Sequence, residues 1–257
     1  MTARPRPDHP YLDHGGPIAF AHRGGGLEAV ENSVAAFAHA IDLGYRYIET
    51  DVQLTADGRL VVFHDGELDR LTDGQGRLDQ LPWSAVSQAR IGGREPIPLL
   101  DEILERWPGL RLNIDPKSDA AAGALAAALR HHGALDRVCV GSFSGARLAR
   151  LRAELGGDLC SSAGPGEVAR VWAAGHGLPL PGPRAPDCLQ VPVRWRGVPL
   201  VTPGFVRAAH ARGLFVHVWT VDEADEMNRL LDMGVDGLIS DRPTLLRQVM
   251  AGRGLSL

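Results

Sequence analysis

Lysine is almost absent from this chain of 257 residues: Lys117 is the one lysine among 27 basic residues, and the others are arginines. Cysteine is also scarce. Cys139, Cys160 and Cys188 are odd in number, far apart and without CxxC spacing, which argues against a disulfide framework or a thiolate zinc site. We therefore expect three buried free thiols.

Long apolar runs are missing as well. No stretch of about 18 apolar residues occurs, so no membrane-spanning helix or stable membrane insertion is predicted. Residues 1–16 lack the apolar core of a signal peptide, and we expect a cytoplasmic protein with a loosely ordered tail there. A net charge of −4 with scattered arginines argues against nucleic acid as a partner. The oligomeric state is left open.

The remaining residues, 17–257, predict one catalytic domain in which short apolar runs alternate with helical segments rich in Ala, Leu and Arg. Eight runs are predicted as strands: Ile18 to Ala21, Tyr47 to Val52, Leu110 to Asp115, Arg137 to Gly141, Asp158 to Ser161, Asp187 to Val191, Leu214 to Trp219 and Gly237 to Ser240. Such alternation is typical of an α/β fold with a parallel sheet. Eight strand–helix pairs over this length predict a (β/α)8 TIM barrel.

One segment interrupts the alternation. An Asp57-Gly58 turn separates Leu54 from the run Leu60 to Phe63, which is the pattern of a β-hairpin. The residues after it are rich in Gly, Asp and Pro. We predict a small insertion at about residues 54–98, after the second barrel strand and above the end of the barrel that carries active sites.

Two carboxylates lie on one face of the second predicted strand. Glu49 and Asp51 are two residues apart, so the period of a strand points both in the same direction. Like charges this close raise a pKa unless a cation lies between them, which implies a metal or a shared proton; ion pairs with barrel arginines are the structural alternative. Asp115 ends the third strand at the same rim. Three oxygen donors suit one divalent ion, Mg²⁺ or Ca²⁺, better than zinc.

Lys117 follows Asp115 by two residues. In a chain that uses arginine elsewhere, a retained lysine indicates a need for a compact ammonium, with a phosphoryl oxygen as its natural partner; compositional chance is the alternative. His22 closes the first strand and His64 closes the predicted hairpin. Each could act as a general acid or base near neutral pH.

These residues belong to a longer series of motifs that resembles the glycerophosphodiester phosphodiesterase family. The motifs are His22-Arg23-Gly24, Glu31-Asn32-Ser33, Glu49-x-Asp51-Val52, Thr55-x-Asp57-Gly58, Val62-x-His64-Asp65, Leu68-x-Arg70-x-Thr72, Ile97-Pro98-x-Leu100, Val218-Trp219-Thr220-Val221 and Gly234-Val235-Asp236-Gly237. The resemblance implies a (β/α)8 barrel with a small insertion. It also implies metal-dependent cleavage of glycerophosphodiesters to glycerol 3-phosphate and an alcohol.

The resemblance further implies a role for each matching residue. The implied roles are an acid/base pair of His22 and His64, metal ligation by Glu49, Asp51 and Asp115, phosphate binding by Arg23 and Lys117, and a surface for the glycerol moiety at Trp219. A packed interior position is the alternative for Trp219. The third ligand of the family is usually Glu, so a water-mediated contact is left open for the shorter Asp115.

Two other functions remain open. A lysophospholipase D-type enzyme would hold an acyl chain in the loops at residues 81–83 and 91–98, and an apolar groove leading from the metal would favour it. A catalytically silent barrel would bind a phosphorylated ligand, but the complete set of chemical groups argues against this. The sequence does not identify the head group, which histidine is the acid, or whether a cyclic phosphate forms first.

Overall fold

The computed structural model describes residues 9–178 and 186–257. In this part of the chain, eight parallel strands form a barrel: β1 (Ile18–His22), β2 (Tyr47–Leu54), β3 (Arg111–Pro116), β4 (Val138–Val140), β5 (Cys160–Ser161), β6 (Cys188–Pro192), β7 (Phe215–Trp219) and β8 (Gly237–Ser240). The order of neighbours is β5-β4-β3-β2-β1-β8-β7-β6. A parallel bridge between Ser162 and Cys188 joins the two ends. The predicted (β/α)8 barrel is confirmed, with every strand within a few residues of its expected position.

Eight helices cover the outside of the described barrel. They are α1 (Val34–Asp42), α2 (Leu100–Arg106), α3 (Asp119–His131), α4 (Gly145–Leu155), α5 (Pro165–Gly175), α6 (Pro203–His210), α7 (Ala224–Met233) and α8 (Pro243–Gly252). Ser33, Ser118 and Ser144 begin three of them, and each side chain accepts a hydrogen bond from the backbone N–H three residues on. Gly234, with φ of 88°, ends α7 in the left-handed conformation that favours glycine.

The lower part of the barrel interior is filled by aromatic and thiol side chains. The buried cluster there includes Tyr11, Phe20, Tyr47, Phe215, Ile239 and the three cysteines. Cys139, Cys160 and Cys188 are free and buried, as the sequence predicted. This packed layer closes the barrel from below, so that polar side chains further along the same strands face the open, C-terminal end.

The N-terminal segment differs from the expectation. A loose tail over residues 1–16 is wrong for residues 9–12, because Pro10–Leu12 form a 3-10 helix and Tyr11 is fully buried. The hydroxyl of Tyr47 donates a hydrogen bond of 2.7 Å to the carbonyl oxygen of Tyr11. An aromatic ring that fills the base of the barrel therefore holds this segment in place. Residues 1–8 lie outside the described part of the chain.

The segment between β2 and α2 forms a small unit above the barrel. β2 pairs in antiparallel fashion with the strand Leu60–Val62, and Val52 is opposite Val62. A short helix, Trp83–Val86, follows, and then a β-hairpin in which Arg90–Ile91 pairs with Glu95–Pro96. The unit has its own apolar cluster, formed by Val61, Phe63, Leu68, Leu78, Val86, Ala89, Ile91, Ile97 and Leu99. This packing fixes His64, which follows the hairpin strand, beside the carboxyl end of β2.

No helix in the described ranges is long and apolar enough to cross a membrane.

Candidate active site

A single cavity of about 670 Å³ opens at the carboxyl ends of the barrel strands. All the site residues predicted from the sequence line it: His22, Arg23, Glu49, Asp51, His64, Asp115, Lys117 and Trp219. The strands place them there because the carboxyl ends of parallel strands meet at one rim. One half of the cavity is polar and contains the carboxylates, the two histidines, Arg23 and Lys117, and the other half is mainly apolar.

His22 ends β1 between two carboxylates. Its Nδ1 lies 2.8 Å from Oδ1 of Asp241, and its Nε2 lies 3.5 Å from Oε2 of Glu49. Burial alone would lower the pKa of His22, but the charges of Glu49 and Asp241 outweigh it and raise that pKa above its usual range. This environment favours the protonated imidazole.

Asp241 did not emerge from sequence reasoning. It follows β8 directly and is 219 positions away from His22 in the chain. Closure of the barrel makes β1 and β8 neighbours, with Ala21 opposite Ser240. An acidic residue immediately after a barrel strand was the available signal, since that rim is where barrel enzymes place functional side chains.

His64 has an equivalent arrangement on the other side of the polar half. Its Nδ1 lies 2.6 Å from Oδ1 of Asp65. Arg70 donates two hydrogen bonds to Asp65, of 2.6 and 2.9 Å, and this contact, with that of His64, lowers the pKa of Asp65 to about 2. The carboxylate therefore stays ionised and holds the Nδ1 proton of His64, which leaves Nε2 for substrate.

Asp51 is the most heavily paired carboxylate in the site, and it is 2% exposed. Lys117 Nζ lies 2.6 Å from its Oδ1, while Arg23 Nε and Asn32 Nδ2 lie 3.1 and 3.3 Å from its Oδ2. Burial raises the pKa of Asp51, but the charge of Lys117, followed by that of Arg23, lowers it below its usual range. Asp51 is thus a fixed negative charge.

Arg23 and Asn32 reach Asp51 from an unusual backbone conformation. Both have positive φ, 53° for Arg23 and 57° for Asn32. Non-glycine residues seldom adopt this region, and where they do the strain is typical of functional sites. Here it directs two side chains of the β1–α1 loop onto one carboxylate.

Glu49 is buried and only weakly paired. Its Oε2 forms no hydrogen bond with any described residue, and His22 Nε2 is 3.5 Å away. Burial, with the nearby charge of Asp51, raises the pKa of Glu49 to about 7. A buried carboxylate oxygen without a partner is costly unless a cation or a proton reaches it.

Asp115 lies directly across the sheet from Asp51. It accepts a hydrogen bond of 2.8 Å from Lys117, whose ammonium therefore bridges the two carboxylates. Burial raises the pKa of Asp115.

The oxygen donors of the polar half can be compared with the ligands that a divalent ion needs. No group of three His, Cys, Asp or Glu side chains within residues 9–178 and 186–257 is arranged to hold a metal. The carboxylate oxygens of Glu49 and Asp51 are hard donors of the kind that Mg²⁺ and Ca²⁺ prefer, and Oε2 of Glu49 forms no hydrogen bond with the described residues. Glu49 and Asp51 therefore fit such an ion, and Asp115, which shares the Lys117 ammonium with Asp51, lies beside them on β3.

The apolar half of the cavity is built on β4, α5 and the loop after β6. Its wall consists mainly of Phe143, Ala163, Pro165, Val168, Ala169, Trp172, Pro192, Trp195, Val198, Leu200 and Trp219. The Phe143 ring lies 5.8 Å from that of Trp219 and 6.5 Å from that of Trp195. Trp219 both faces the cavity and packs against the interior cluster, so its two predicted positions are compatible.

The position of this apolar wall corrects one expectation. The loops at residues 81–83 and 91–98 do not line the cavity. Leu81 and Trp83 instead pack on the cluster inside the insertion. Apolar residues of the insertion are used for its own small core, because a unit of this size has few other apolar side chains to bury.

Comparison with known proteins gives a consistent result. Residues 22–245 match the model of the "Glycerophosphoryl diester phosphodiesterase family". "Probable glycerophosphodiester phosphodiesterase 2" of Mycobacterium tuberculosis is 43% identical over 95% of this chain and 94% of its own length. "Glycerophosphodiester phosphodiesterase" of Caldanaerobacter subterraneus is 29% identical over 91% and 98%.

A solved structure agrees with these relatives. The crystal structure of glycerophosphodiester phosphodiesterase from Agrobacterium tumefaciens superposes with a TM-score of 0.74 at 26% identity. The superposition covers 90% of this chain and 99% of that one. Fold and sequence therefore indicate the same family.

Proposed function

Because the chain belongs to the glycerophosphoryl diester phosphodiesterase family, we propose that it hydrolyses glycerophosphodiesters to glycerol 3-phosphate and an alcohol, using a divalent metal and a pair of histidines. One observation carries the proposal. Two histidines, each bonded through Nδ1 to an aspartate, face one cavity that also contains Glu49, Asp51 and Lys117. Such a complete set argues against a catalytically silent barrel.

The two histidines divide the proton transfers between them. His22, whose protonated form is favoured, donates a proton to the leaving alkoxide. His64 accepts a proton from the nucleophile, either water or the glycerol hydroxyl of the substrate. In the second case the alcohol leaves and a cyclic phosphate forms, which water then opens to glycerol 3-phosphate. The ionised Asp65 then stabilises the imidazolium that forms on His64, as the aspartate of a catalytic triad does for its histidine.

Lys117 and Arg23 hold the phosphate. An ammonium group has three N–H donors, and Asp51 and Asp115 use two of those on Lys117. The third is available for a non-bridging phosphoryl oxygen, on which negative charge grows in the transition state. Glu49 and Asp51 would hold the divalent ion, which when bound supplies further charge neutralisation at the phosphate.

A direct assay tests this function. Purified protein is incubated with glycerophosphocholine or glycerophosphoethanolamine, and glycerol 3-phosphate is measured enzymatically. We expect its release by the wild type and not by Glu49→Gln. Absence of glycerol 3-phosphate with every head group and metal tried would contradict the proposal.

The apolar half of the cavity favours a second candidate, the lysophospholipase D-type reaction. An aromatic wall can also bind a quaternary ammonium, but such sites benefit from nearby negative charge. Here the carboxylates that line the cavity lie at its polar end, and the charged residue at the apolar rim is Arg196. An uncharged aliphatic chain on the substrate therefore fits this half better than choline does.

Two half-buried tryptophans provide a matched test of that candidate. Trp172 lines the cavity from α5, whereas Trp83 packs within the insertion. Trp172→Ala should lower kcat/KM for a lysophospholipid relative to glycerophosphocholine by about tenfold, the value of losing part of one aromatic contact surface. Trp83→Ala should leave that ratio unchanged. An unchanged ratio in Trp172→Ala would exclude this wall as a chain-binding site.

A further inference from the structure

A two-stranded hairpin stands at the rim of the apolar half, between β6 and α6. Arg194–Trp195 pair in antiparallel fashion with Val198–Pro199. Every residue from 194 to 199 is exposed, and Trp195 and Val198 are 50% and 52% exposed. An exposed tryptophan next to an exposed valine is unusual on a protein that faces only water.

The hairpin continues into a larger apolar surface at the mouth of the cavity. Phe143, which is 60% exposed, stacks beside Trp195 at an interplanar angle of 29°. We call this surface the rim patch; it consists of Phe143, Trp195 and Val198. All three residues also line the catalytic cavity. The patch is therefore continuous with the place where substrate binds.

Two arginines lie beside Trp195 in the rim patch. The Arg196 guanidinium lies 6.0 Å from the centre of the Trp195 ring, and the Arg194 side chain donates a hydrogen bond of 3.2 Å to the Gly197 carbonyl oxygen. Neither arginine forms a salt bridge within 4.0 Å with another described residue. An aromatic side chain flanked by arginines suits the interface of an anionic bilayer, where the ring enters the headgroup region and the cations meet phosphate and carboxylate groups.

We propose that the rim patch, with Arg194 and Arg196, docks the protein on an anionic lipid bilayer. The inference rests on the proposed function, because docking there would bring the apolar half of the cavity against the membrane that contains a lipid substrate. The net charge of −4 opposes general attraction to an anionic surface. Binding must therefore come from this local combination of apolar and basic side chains, because buried apolar area and attraction to anionic lipids together set the strength of binding at a membrane interface.

Vesicle co-sedimentation tests the proposal without relying on catalysis. The wild type should sediment with phosphatidylcholine vesicles that contain phosphatidylserine. A smaller fraction should sediment with vesicles of phosphatidylcholine alone, and high salt should reduce the fraction bound to the anionic vesicles. The double variant Arg194→Ser/Arg196→Ser should lower the partition coefficient roughly thirtyfold, and Trp195→Ser about tenfold. All these positions are exposed, and thermal melting by circular dichroism should show each variant folded as the wild type is.

Two matched controls lie away from the rim. Arg106 covers Trp107 at 5.7 Å, as Arg196 covers Trp195, but at the end of α2. Leu178 is as exposed as Phe143 and follows α5. Arg106→Ser and Leu178→Ser should bind vesicles as the wild type does.

Other outcomes overturn the docking proposal. These are no binding of the wild type to anionic vesicles at low salt, wild-type binding by the hairpin variants, or an equal loss in the controls. Hydrolysis of water-soluble glycerophosphocholine by the same wild-type preparation shows whether the proposed function stands independently.

Discussion

The ammonium nitrogen of Lys117 lies 2.6 Å from Oδ1 of Asp51. The lysine side chain thus reaches from the residue after β3 to a carboxylate of β2. It also lies 2.8 Å from Oδ2 of Asp115. Burial alone would lower the pKa of Lys117, but the two carboxylates raise it, so the side chain remains a cation in the site. The one lysine of this chain is thus a compact charge between two buried acids.

Lys117→Arg should reduce kcat/KM almost as much as Lys117→Ala. The guanidinium is longer and planar, and it would enter the space between Asp51 and Asp115 instead of stopping at a phosphoryl oxygen. Loss of one charge-assisted contact to the transition state costs roughly 3 kcal/mol, or about a hundredfold in rate. Arg130→Ala, which removes an exposed ion pair with Glu154, should retain activity. A near wild-type rate for Lys117→Arg would mean that only positive charge matters.

His22→Ala and His64→Ala should each lose about 10² to 10⁴-fold in kcat. If His22 is the general acid, a substrate with a nitrophenyl leaving group should restore much of the activity of His22→Ala, because nitrophenolate is a weak base that leaves without a proton. The same substrate should do little for His64→Ala. Equal rescue of both variants would refute this division of roles.

Asp241→Asn should lower kcat roughly tenfold or more with little change in KM, because Asp241 contacts His22 and is not among the residues that line the cavity. It should also change the pH profile. Asp241 contributes to the raised pKa of His22, so its removal lowers that pKa, and the acid loses its proton at a lower pH. The alkaline limb of kcat/KM should therefore move to lower pH.

Asp101→Asn is the matched control for this pair. It removes a similar aspartate–histidine contact, 3.0 Å between Asp101 and His132, on the helical layer. Its pH profile should equal that of the wild type. An unshifted alkaline limb in Asp241→Asn would show that Asp241 does not act through His22.

Asp65→Asn should remove a small, pH-dependent part of the stability. The folded-state pKa of Asp65 is depressed to about 2, so its contribution is present above the ordinary pKa of about 3.8 and is lost as pH falls through about 2. The pair with Arg70 is largely exposed, and we expect less than about 1 kcal/mol. Thermal melts of wild type and variant between pH 2 and 7 should converge at the acid end.

Asp79→Asn separates stability from catalysis. Asp79 has the same two-bond contact with an arginine, Arg77, but no histidine touches it in the described structure. Asp79→Asn and Asp65→Asn should each lower the stability slightly, but only Asp65→Asn should lower kcat. If both or neither lowered kcat, the orienting role of Asp65 would be wrong.

The sequence predicted the barrel and the residues at its rim because both depend on short-range patterns. The two-residue period brought Glu49 and Asp51 together, and a strand ending at Asp115 placed Lys117 beside them. The partners of these residues depend on closure of the barrel. Asp241 reaches His22 because β8 pairs with β1, which no local pattern encodes.

The apolar half of the cavity was also beyond sequence reasoning. Phe143 lies in a glycine- and serine-rich loop, and Trp172 lies in a helix where an apolar residue normally faces the core. Their common cavity appears only when α5 and the loop after β6 are packed together, with Trp172 Nε1 donating a hydrogen bond to the Pro199 carbonyl oxygen. The insertion offered apolar residues nearer in sequence to the site, but its own cluster buries them.

Metal-dependent hydrolysis is tested by one assay, the release of glycerol 3-phosphate from glycerophosphocholine. It is measured before chelation, in excess chelator and after Mg²⁺ or Ca²⁺ is restored. Activity should disappear with chelation and return with the ion. The ion should also raise the melting temperature of the wild type but not that of Glu49→Gln. Full activity in excess chelator would contradict metal-dependent hydrolysis.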